Sequence, residues 1–330
     1  MLAPEELPQI LLDLGEVYEL VGRWQDARAS YEQALSAADQ QNDPTTHARS
    51  ETEIGELLTK QGQYAEASTW LDRARRGFEA TGDRAGVAQT LQHKGTLLAR
   101  QGDYEESLRA YEESLSIRQE LNDQFNIANL LNNMAIVARF RRDFQKAQSL
   151  IEEALAIRER LGNRWAIGMS LNNLGNLALG QGDLAEARTR MEQALSIWRQ
   201  IGDRWAIANT LTGLGEVFGE AKDYETSRAY FSESLAINRE IGDRLALAYL
   251  FEALGSLAAA QSDPERAMQL VGVAATLRAD IGAPLPPAEA ARLQDRLMAA
   301  RGLLSEESLH AAEATGRALS LDQAIELALG

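Results

Sequence analysis

The sequence predicts an all-α solenoid of helical hairpins, and three observations predict it. A pattern of forty residues can be laid over most of the 330-residue chain without a gap, turn signals fall between its halves, and apolar positions step at helical spacing. Residues 171–210 show the pattern best. From Asp183 the positions Leu184, Ala187, Met191, Ala194, Trp198 and Ile201 step by three and four, one stripe of a helix with 3.6 residues per turn. Upstream, Ile167, Leu171, Leu174 and Ala178 step by four, three and four, a second amphipathic helix. Gly182-Asp183 and Gly202-Asp203 separate the helices: glycine accepts the left-handed backbone that closes a helix, and the aspartate caps the free N–H groups of the next.

Shifting by forty residues turns these positions into columns. One reads Gly15, Gly55, Gly95, Ala135, Gly175, Gly215 and Gly255, preceded by Leu14, Ile54, Lys94, Met134, Leu174, Leu214 and Leu254, where Lys94 alone is not apolar. In the second helix a small column runs Ala27, Ala67, Ser107, Ala147, Ala187, Ser227 and Ala267, and another runs Ala34, Ala74, Ser114, Ala154, Ala194, Ser234 and Ala274. Between them lie Tyr31, Leu71, Tyr111, Ile151, Met191, Phe231 and Val271. Small residues let helix backbones approach, and the bulky column is expected to fill the space between successive hairpins. Gly175 should face Ala187 inside one hairpin.

These columns resemble the tetratricopeptide repeat (TPR) family, whose pattern has leucine-glycine in the first helix and alanine, aromatic, alanine in the second. The resemblance covers residues 11–280 and implies a right-handed superhelix of about seven repeats. Where the family usually ends its second helix with proline, this chain has Arg199 and equivalents such as Arg118, Arg158 and Asn238. The helix can therefore run on to Gly202, which fits a period of forty in place of the usual 34.

Each repeat buries its apolar face only against its neighbours, so 330 residues fit one elongated array. We place the repeat array at 1–284 and a C-terminal helical cap at 285–330. The formal charge of −16 argues against duplex DNA or an anionic membrane as partner, since both demand clustered Lys and Arg. Part of that charge has a folding role: Asp103, Asp143, Asp183, Asp223 and Asp263 recur at second-helix caps, and Asp43, Asp83, Asp123, Asp203 and Asp243 at first-helix caps. The absence of cysteine excludes disulfides, zinc–thiolate sites and cysteine nucleophiles. No basic region precedes the first apolar stretch, so nothing directs export and a cytoplasmic location is expected. The most apolar run, 245–260, is interrupted by Glu252 and is shorter than the roughly 20 residues of a membrane span.

Pro4 or Pro8 is expected in the first turn of the opening helix, and Asp43-Pro44 marks a cap and first turn. Trp165 and Trp205 open two successive first helices, where stacking between hairpins is expected and an exposed binding anchor is the lesser alternative. After Gly282 the pattern changes at Pro284-Leu285-Pro286-Pro287. Residues 288–304, 305–318 and 321–329 read as three further helices that cap the array, with Ser320 and Gln323 in capping-box spacing. The run Ala279-Asp280-Ile281-Gly282-Ala283-Pro284-Leu285-Pro286-Pro287 and the later Gly316-Arg317-Ala318-Leu319-Ser320-Leu321 resemble the end of the TPR region in bacterial signal-transduction ATPases. Many of those are LuxR-type transcriptional regulators and some are nucleotide cyclases, so this likeness implies a regulatory setting. The ATPase and helix-turn-helix modules of that family are absent from this sequence.

No phosphate-binding loop, dinucleotide fingerprint, nucleophile elbow or H-E-x-x-H helix occurs, so neither catalysis nor a cofactor is expected. His47, His93 and His310 fall in different slots of the hairpin, read as exposed positions and not as a metal site. Glu105-Glu106, Glu112-Glu113 and Glu152-Glu153 read as a solvated second-helix face with i,i+4 pairs such as Glu105–Arg109 and Glu186–Arg190.

In the TPR family the first helices line a concave groove. The slots flanking the leucine-glycine columns hold Asn129, Asn132, Asn172, Asn176 and Asn209, and a carboxamide can both donate to and accept from the backbone of an extended peptide. Lys60, Arg100 and Arg139 should add a basic strip on the same side. The lysine slot of the carboxylate clamp in chaperone-binding TPR domains holds Leu12, Thr52, Gln92, Asn132, Asn172, Thr212 and Glu252 instead. The expectation is a non-catalytic module that binds a protein or extended peptide segment and regulates a signalling partner. Two alternatives stand beside it: the sensor fragment of an ATPase-linked transcriptional regulator or nucleotide cyclase, and a peptide-pheromone sensor.

Overall fold

A computed structural model describes residues 6–330, all of whose regular structure is helical. Pro8 sits in the first turn of the first helix; Pro4 lies outside the described residues. The backbone punctuation is strict. From Gly22 to Gly282 every twentieth residue has a positive φ, mostly glycine, with Asn42, Asn122, Arg142, Lys222 and Ser262 taking the same left-handed turn. Both helices of a hairpin therefore have nearly equal length.

Two compact units are formed. The first, Met1–Leu161, contains four hairpins: α1 (Leu7–Leu20) with α2 (Trp24–Gln41), α3 (Pro44–Lys60) with α4 (Tyr64–Thr81), α5 (Arg84–Gln101) with α6 (Tyr104–Glu120), and α7 (Gln124–Phe140) with α8 (Phe144–Arg160). The second, Gly162–Gly330, contains three: α9 (Arg164–Gln181) with α10 (Leu184–Ile201), α11 (Arg204–Glu220) with α12 (Tyr224–Ile241), and α13 (Arg244–Ala260) with α14 (Pro264–Ile281). Three more helices follow in that unit: α15 (Pro287–Arg301), α16 (Glu306–Ala318) and α17 (Leu321–Leu329).

Nine of the ten expected aspartates accept a backbone N–H at their helix start, for example Asp183 from Glu186 at 3.0 Å and Asp203 from Ala206 at 2.9 Å. Asp103 stands at the start of α6 without such a bond. Asn163 caps α9 in the place that α3, α5, α7, α11 and α13 give to aspartate.

The glycine column receives the bulky column of its own hairpin, which corrects the expectation that those side chains fill the space between hairpins. A Cβ on Gly95 would lie 2.6 Å from Tyr111 Cε1, and one on Gly215 would lie 2.5 Å from Phe231 Cε1. Met191 does both, touching the sites of Gly175 on α9 and Gly213 on α11. Where the small columns carry serine, its hydroxyl bonds a first-helix carbonyl: Ser107 to Gly95 at 2.7 Å and Ser234 to Ala208 at 2.8 Å. Lys94 breaks the apolar column because its Nζ reaches back to Ser68 at 2.6 Å and Asp72 at 2.9 Å on α4.

Gly175 faces Ala187 as expected: a Cβ there would meet Met191 Cγ at 2.6 Å and the Ala187 carbonyl at 3.2 Å. Met191 can yield but the backbone cannot. Gly175→Leu should therefore destabilise the second unit by roughly 1–3 kcal/mol through overpacking. Chemical denaturation would check this, and an unchanged midpoint would rule out the contact.

The apolar run 245–260 is helix α13, buried along most of its length. Among the described residues no helix is long and apolar enough to cross a membrane. Helices α15 to α17 pack on the cluster around Leu250, Phe251, Leu254 and Leu270 through Leu297, Ala312, Ala324 and Ala328. Ser320 and Gln323 form the expected capping box at α17.

Candidate binding face

Four positions of each first helix, spaced four, three and four residues, remain accessible beside the buried stripe that carries the glycine, except in α13, where Ala253 is buried. In α7 they are Asn129, Asn133, Ile136 and Phe140; in α11 they are Asn209, Gly213, Glu216 and Glu220. Asn176 of α9 and Asn209 of α11 therefore belong to this face, Asn176 half-buried and Asn209 exposed. Asn129 also lies there, with its Oδ1 accepting from Arg158 Nη2 at 2.9 Å.

Asn132 and Asn172 do not. They are 6% and 5% exposed and stand in the stripe that faces their own second helix, one residue out of phase with Asn133 and Asn173. The same slot in other hairpins shows where it points: Thr212 bonds Ser234 at 2.9 Å, and Glu252 accepts two bonds from Arg278 at 2.6 and 3.1 Å. The carbonyl of the Asn172 side chain is buried without a hydrogen-bond partner. Asn133 and Asn173, half-buried on the accessible stripe, are the residues the sequence reading missed. Counting from Asn129 in steps of four and three would have found them.

The second-helix ends obey the same phase. Arg118, Arg158 and Asn238 share the slot of Trp198 and Arg278, not of Arg199, and all five are buried. Arg118 pairs with the cap Asp123 at 2.8 Å, while burial pulls the Arg158 guanidinium down to about 10.

The expected basic strip is a mixed cluster instead. Lys60 is held by Glu19 and, at 2.8 Å, by Glu56, and Arg100 adds its charge to the field around Glu56. Glu19 also accepts from the Tyr31 hydroxyl at 2.9 Å. His93 Nδ1 lies 3.2 Å from Glu56, so this histidine is half-buried in an ion cluster and not on open surface. His47 is likewise half-buried, 3.2 Å from Asp39, and His310 is exposed. Arg139 is one residue out of register with Lys60 and Arg100, its guanidinium 5.1 Å from the Phe140 ring centroid. Among the described residues no group of His, Cys, Asp or Glu could hold a metal ion.

The carboxylates of this cluster split. Burial opposes the charge on Glu56, but His93 and Lys60 outweigh it and hold the group down at about 2. Glu53 is pushed up to about 8 by burial, then by the charges of Glu56, Glu16 and Glu19. Because the folded value exceeds the ordinary 4.5, the folded chain keeps a proton that the unfolded chain releases. That contribution is full below 4.5 and lost as pH rises through about 8. Glu53→Gln should thus gain on the wild type between pH 5 and 9, by on the order of 1–3 kcal/mol at the alkaline end. Thermal unfolding at both pH values checks this; a gap that does not widen would contradict it.

On the second-helix face, Glu105-Glu106, Glu112-Glu113 and Glu152-Glu153 are exposed as expected. Glu186 pairs with Arg190 at 2.6 Å, but Glu105 pairs with Arg141 at the C-terminal end of α7 and Arg109 pairs with Glu106. Trp165 and Trp205 leave 40% and 41% of their surface exposed while their Nε1 atoms donate to the caps Asp203 and Asp243. Each ties its own first helix to the cap of the next, in line with a stacking role.

An accessible polar face on the first helices, backed by hairpins locked through glycine and small residues, defines a helical-repeat scaffold of the protein-binding class. The chain belongs to the tetratricopeptide repeat family: one family model matches residues 46–120, 126–200 and 206–279, and a second matches 10–45. No curated protein matches it. Among solved structures it is similar to the apo form of RapI, at 17% identity over 83% of this chain and 98% of that one, with a TM-score of 0.63. The Rap conjugation gene regulator of plasmid pLS20, solved with the Phr* peptide, gives 16% identity over 87% and 75%, with a TM-score of 0.63. A signal-transduction ATPase (STAND) protein with a tetratricopeptide repeat sensor from Pyrococcus horikoshii gives 15% identity and a TM-score of 0.58, covering 97% of this chain and 49% of that one. At these identities the likeness is one of fold.

Proposed function

We propose that the chain binds an extended segment of a protein partner along the accessible face of its first helices and so regulates a signalling process, with no catalysis of its own. The observation that carries this reading is the carboxamide-bearing stripe of the second unit, Asn173 and Asn176 in α9 and Asn209 in α11; within the first unit α7 carries Asn129 and Asn133 at the corresponding positions. Such groups pair with peptide N–H and C=O groups whatever the side chains of the segment. Membership of a repeat family built for stacking supports it, as does the fold shared with a regulator solved with its peptide.

The test uses Asn173→Ala, Asn176→Ala and Asn209→Ala together, all in the second unit. Each lost partner group should cost the complex on the order of 1–3 kcal/mol, while alanine, the better helix former, leaves the melting temperature within a few degrees. A partner captured from the host's lysate by the wild type should be lost by this variant and kept by Glu113→Ala and Glu153→Ala on the exposed second-helix face. The reverse pattern would move the binding surface to the second helices.

The likeness to the STAND sensor favours one further reading, a sensor part of an ATPase-linked regulator. Sequencing the genomic DNA upstream of the codon for Met1 tests it, since an in-frame ATPase would support that arrangement. A peptide-pheromone sensor, the third reading, would show direct binding of short free peptides by the isolated chain.

A further inference from the structure

In the second unit α11, α13 and the post-repeat helix α15 enclose a cleft of about 280 Å³. It lies on the accessible face of the first helices. The slots that carry the long side chains of Lys60 and Arg100 in α3 and α5 hold Glu220 in α11 and Ala260 in α13. Gly219, Ala253, Ser256 and Ala259 surround them, and Ala299 of α15 completes the wall. The space exists because Gly219, Ala253, Ser256, Ala259, Ala260 and Ala299 are small, and Phe231 and Leu257 give it an apolar lining.

Three features select an occupant. The Ser256 hydroxyl is already bonded to the Glu252 carbonyl at 2.9 Å, so it does not call for a polar group from a ligand. The volume lies at the low end of the ~300–1,000 Å³ of small-molecule sites and has room for a large apolar side chain of a partner segment. The rim carries Glu216, Glu220 and Arg296; Arg296 pairs with Glu216 at 3.4 Å, and among the described residues exposed Glu220 makes no ion pair. One carboxylate is left uncompensated at the mouth of an apolar cleft.

We propose that this cleft takes an apolar side chain of the partner segment with a lysine or arginine beside it, the cation meeting Glu220. The proposal deepens the binding-face reading and rests on it. It also gives α15 a second role: beyond covering the last repeat, it builds one wall of the site. A second copy of this chain offering such a pair is the rival occupant.

The probe is a panel of fluorescein-labelled hexapeptides, Gln-Ser-X-Z-Ser-Gln, with X leucine, phenylalanine or serine and Z lysine, glutamine or glutamate. Fluorescence anisotropy with the full chain should show the leucine-lysine or phenylalanine-lysine member bound at least tenfold tighter than the serine-lysine and leucine-glutamate members. Ser256→Phe, which fills the cleft from α13, should weaken that peptide tenfold or more. Ala299→Phe fills it from α15 and gives a second route should the first variant fold poorly. Glu220→Gln should remove the preference for lysine over glutamine and keep that for leucine over serine.

The proposal is overturned if no member binds, if the members bind alike, or if both filled variants bind as the wild type does. It is overturned as well if sedimentation shows wild-type self-association that Ser256→Phe abolishes, which would seat a second copy in the cleft. Natural-partner capture that survives the filled variants but not the triple asparagine variant would remove the cleft while leaving the binding-face reading in place.

Discussion

Gly316→Leu is expected to unseat α16 and cost roughly 3 kcal/mol or more. A Cβ at Gly316 would lie 1.9 Å from the Gln269 carbonyl oxygen, and one at Gly272 would lie 2.4 Å from that of Glu313. Helices α14 and α16 thus touch backbone to backbone at two glycines, and no rotamer change relieves a clash with main-chain atoms. Thr276 Oγ1 also donates to the Arg317 carbonyl at 3.3 Å across this contact. Lifting α16 uncovers the apolar cluster of α13 and α14 that Ala312 helps to close. Exposed apolar surface of that kind drives association. The variant should unfold at lower denaturant and sediment as larger species, as should a chain truncated at Gly282. A monomeric variant of unchanged stability would show that the C-terminal helices are an independent appendage.

Glu252→Ala should cost about 3–5 kcal/mol. Its carboxylate takes two bonds from Arg278, and both residues are buried, so the substitution removes both of those bonds and leaves the guanidinium the Ala283 carbonyl and Tyr249, with the Glu289 carboxylate near the vacated place. Replacing both partners, Glu252→Met with Arg278→Met, should recover much of that loss, because a well-packed apolar pair leaves no stranded charge. Equilibrium denaturation of the single and double variants forms the check. A double variant as unstable as the single one would mean that shape, not charge, governs the site.

The hairpin array was legible because it is written in local chemistry. Aspartates at helix starts, a left-handed turn every twentieth residue and the Gly–Ala columns act within a few residues of themselves or across one hairpin, and forty-residue repetition displays each of them several times. The Lys94 exception was visible as well, although its cause, two acceptors on α4, was not.

The binding face was legible only to within one residue of phase. Asn129 and Asn132 are separated by three positions, and three and four are both helical neighbours, so sequence spacing does not distinguish the accessible stripe from the buried one. Only packing decides which carboxamide faces the second helix and which faces solvent. Electrostatics escaped for the same reason: the charge on Lys60 was plain in the sequence, but the carboxylates of Glu19 and Glu56 that neutralise it come from two different helices. The order of residues along the chain thus determined its helices, its turns and the close approach within each hairpin. Tertiary structure decided which polar groups are committed to the interior, because a side chain's environment is set by helices that lie far away in sequence.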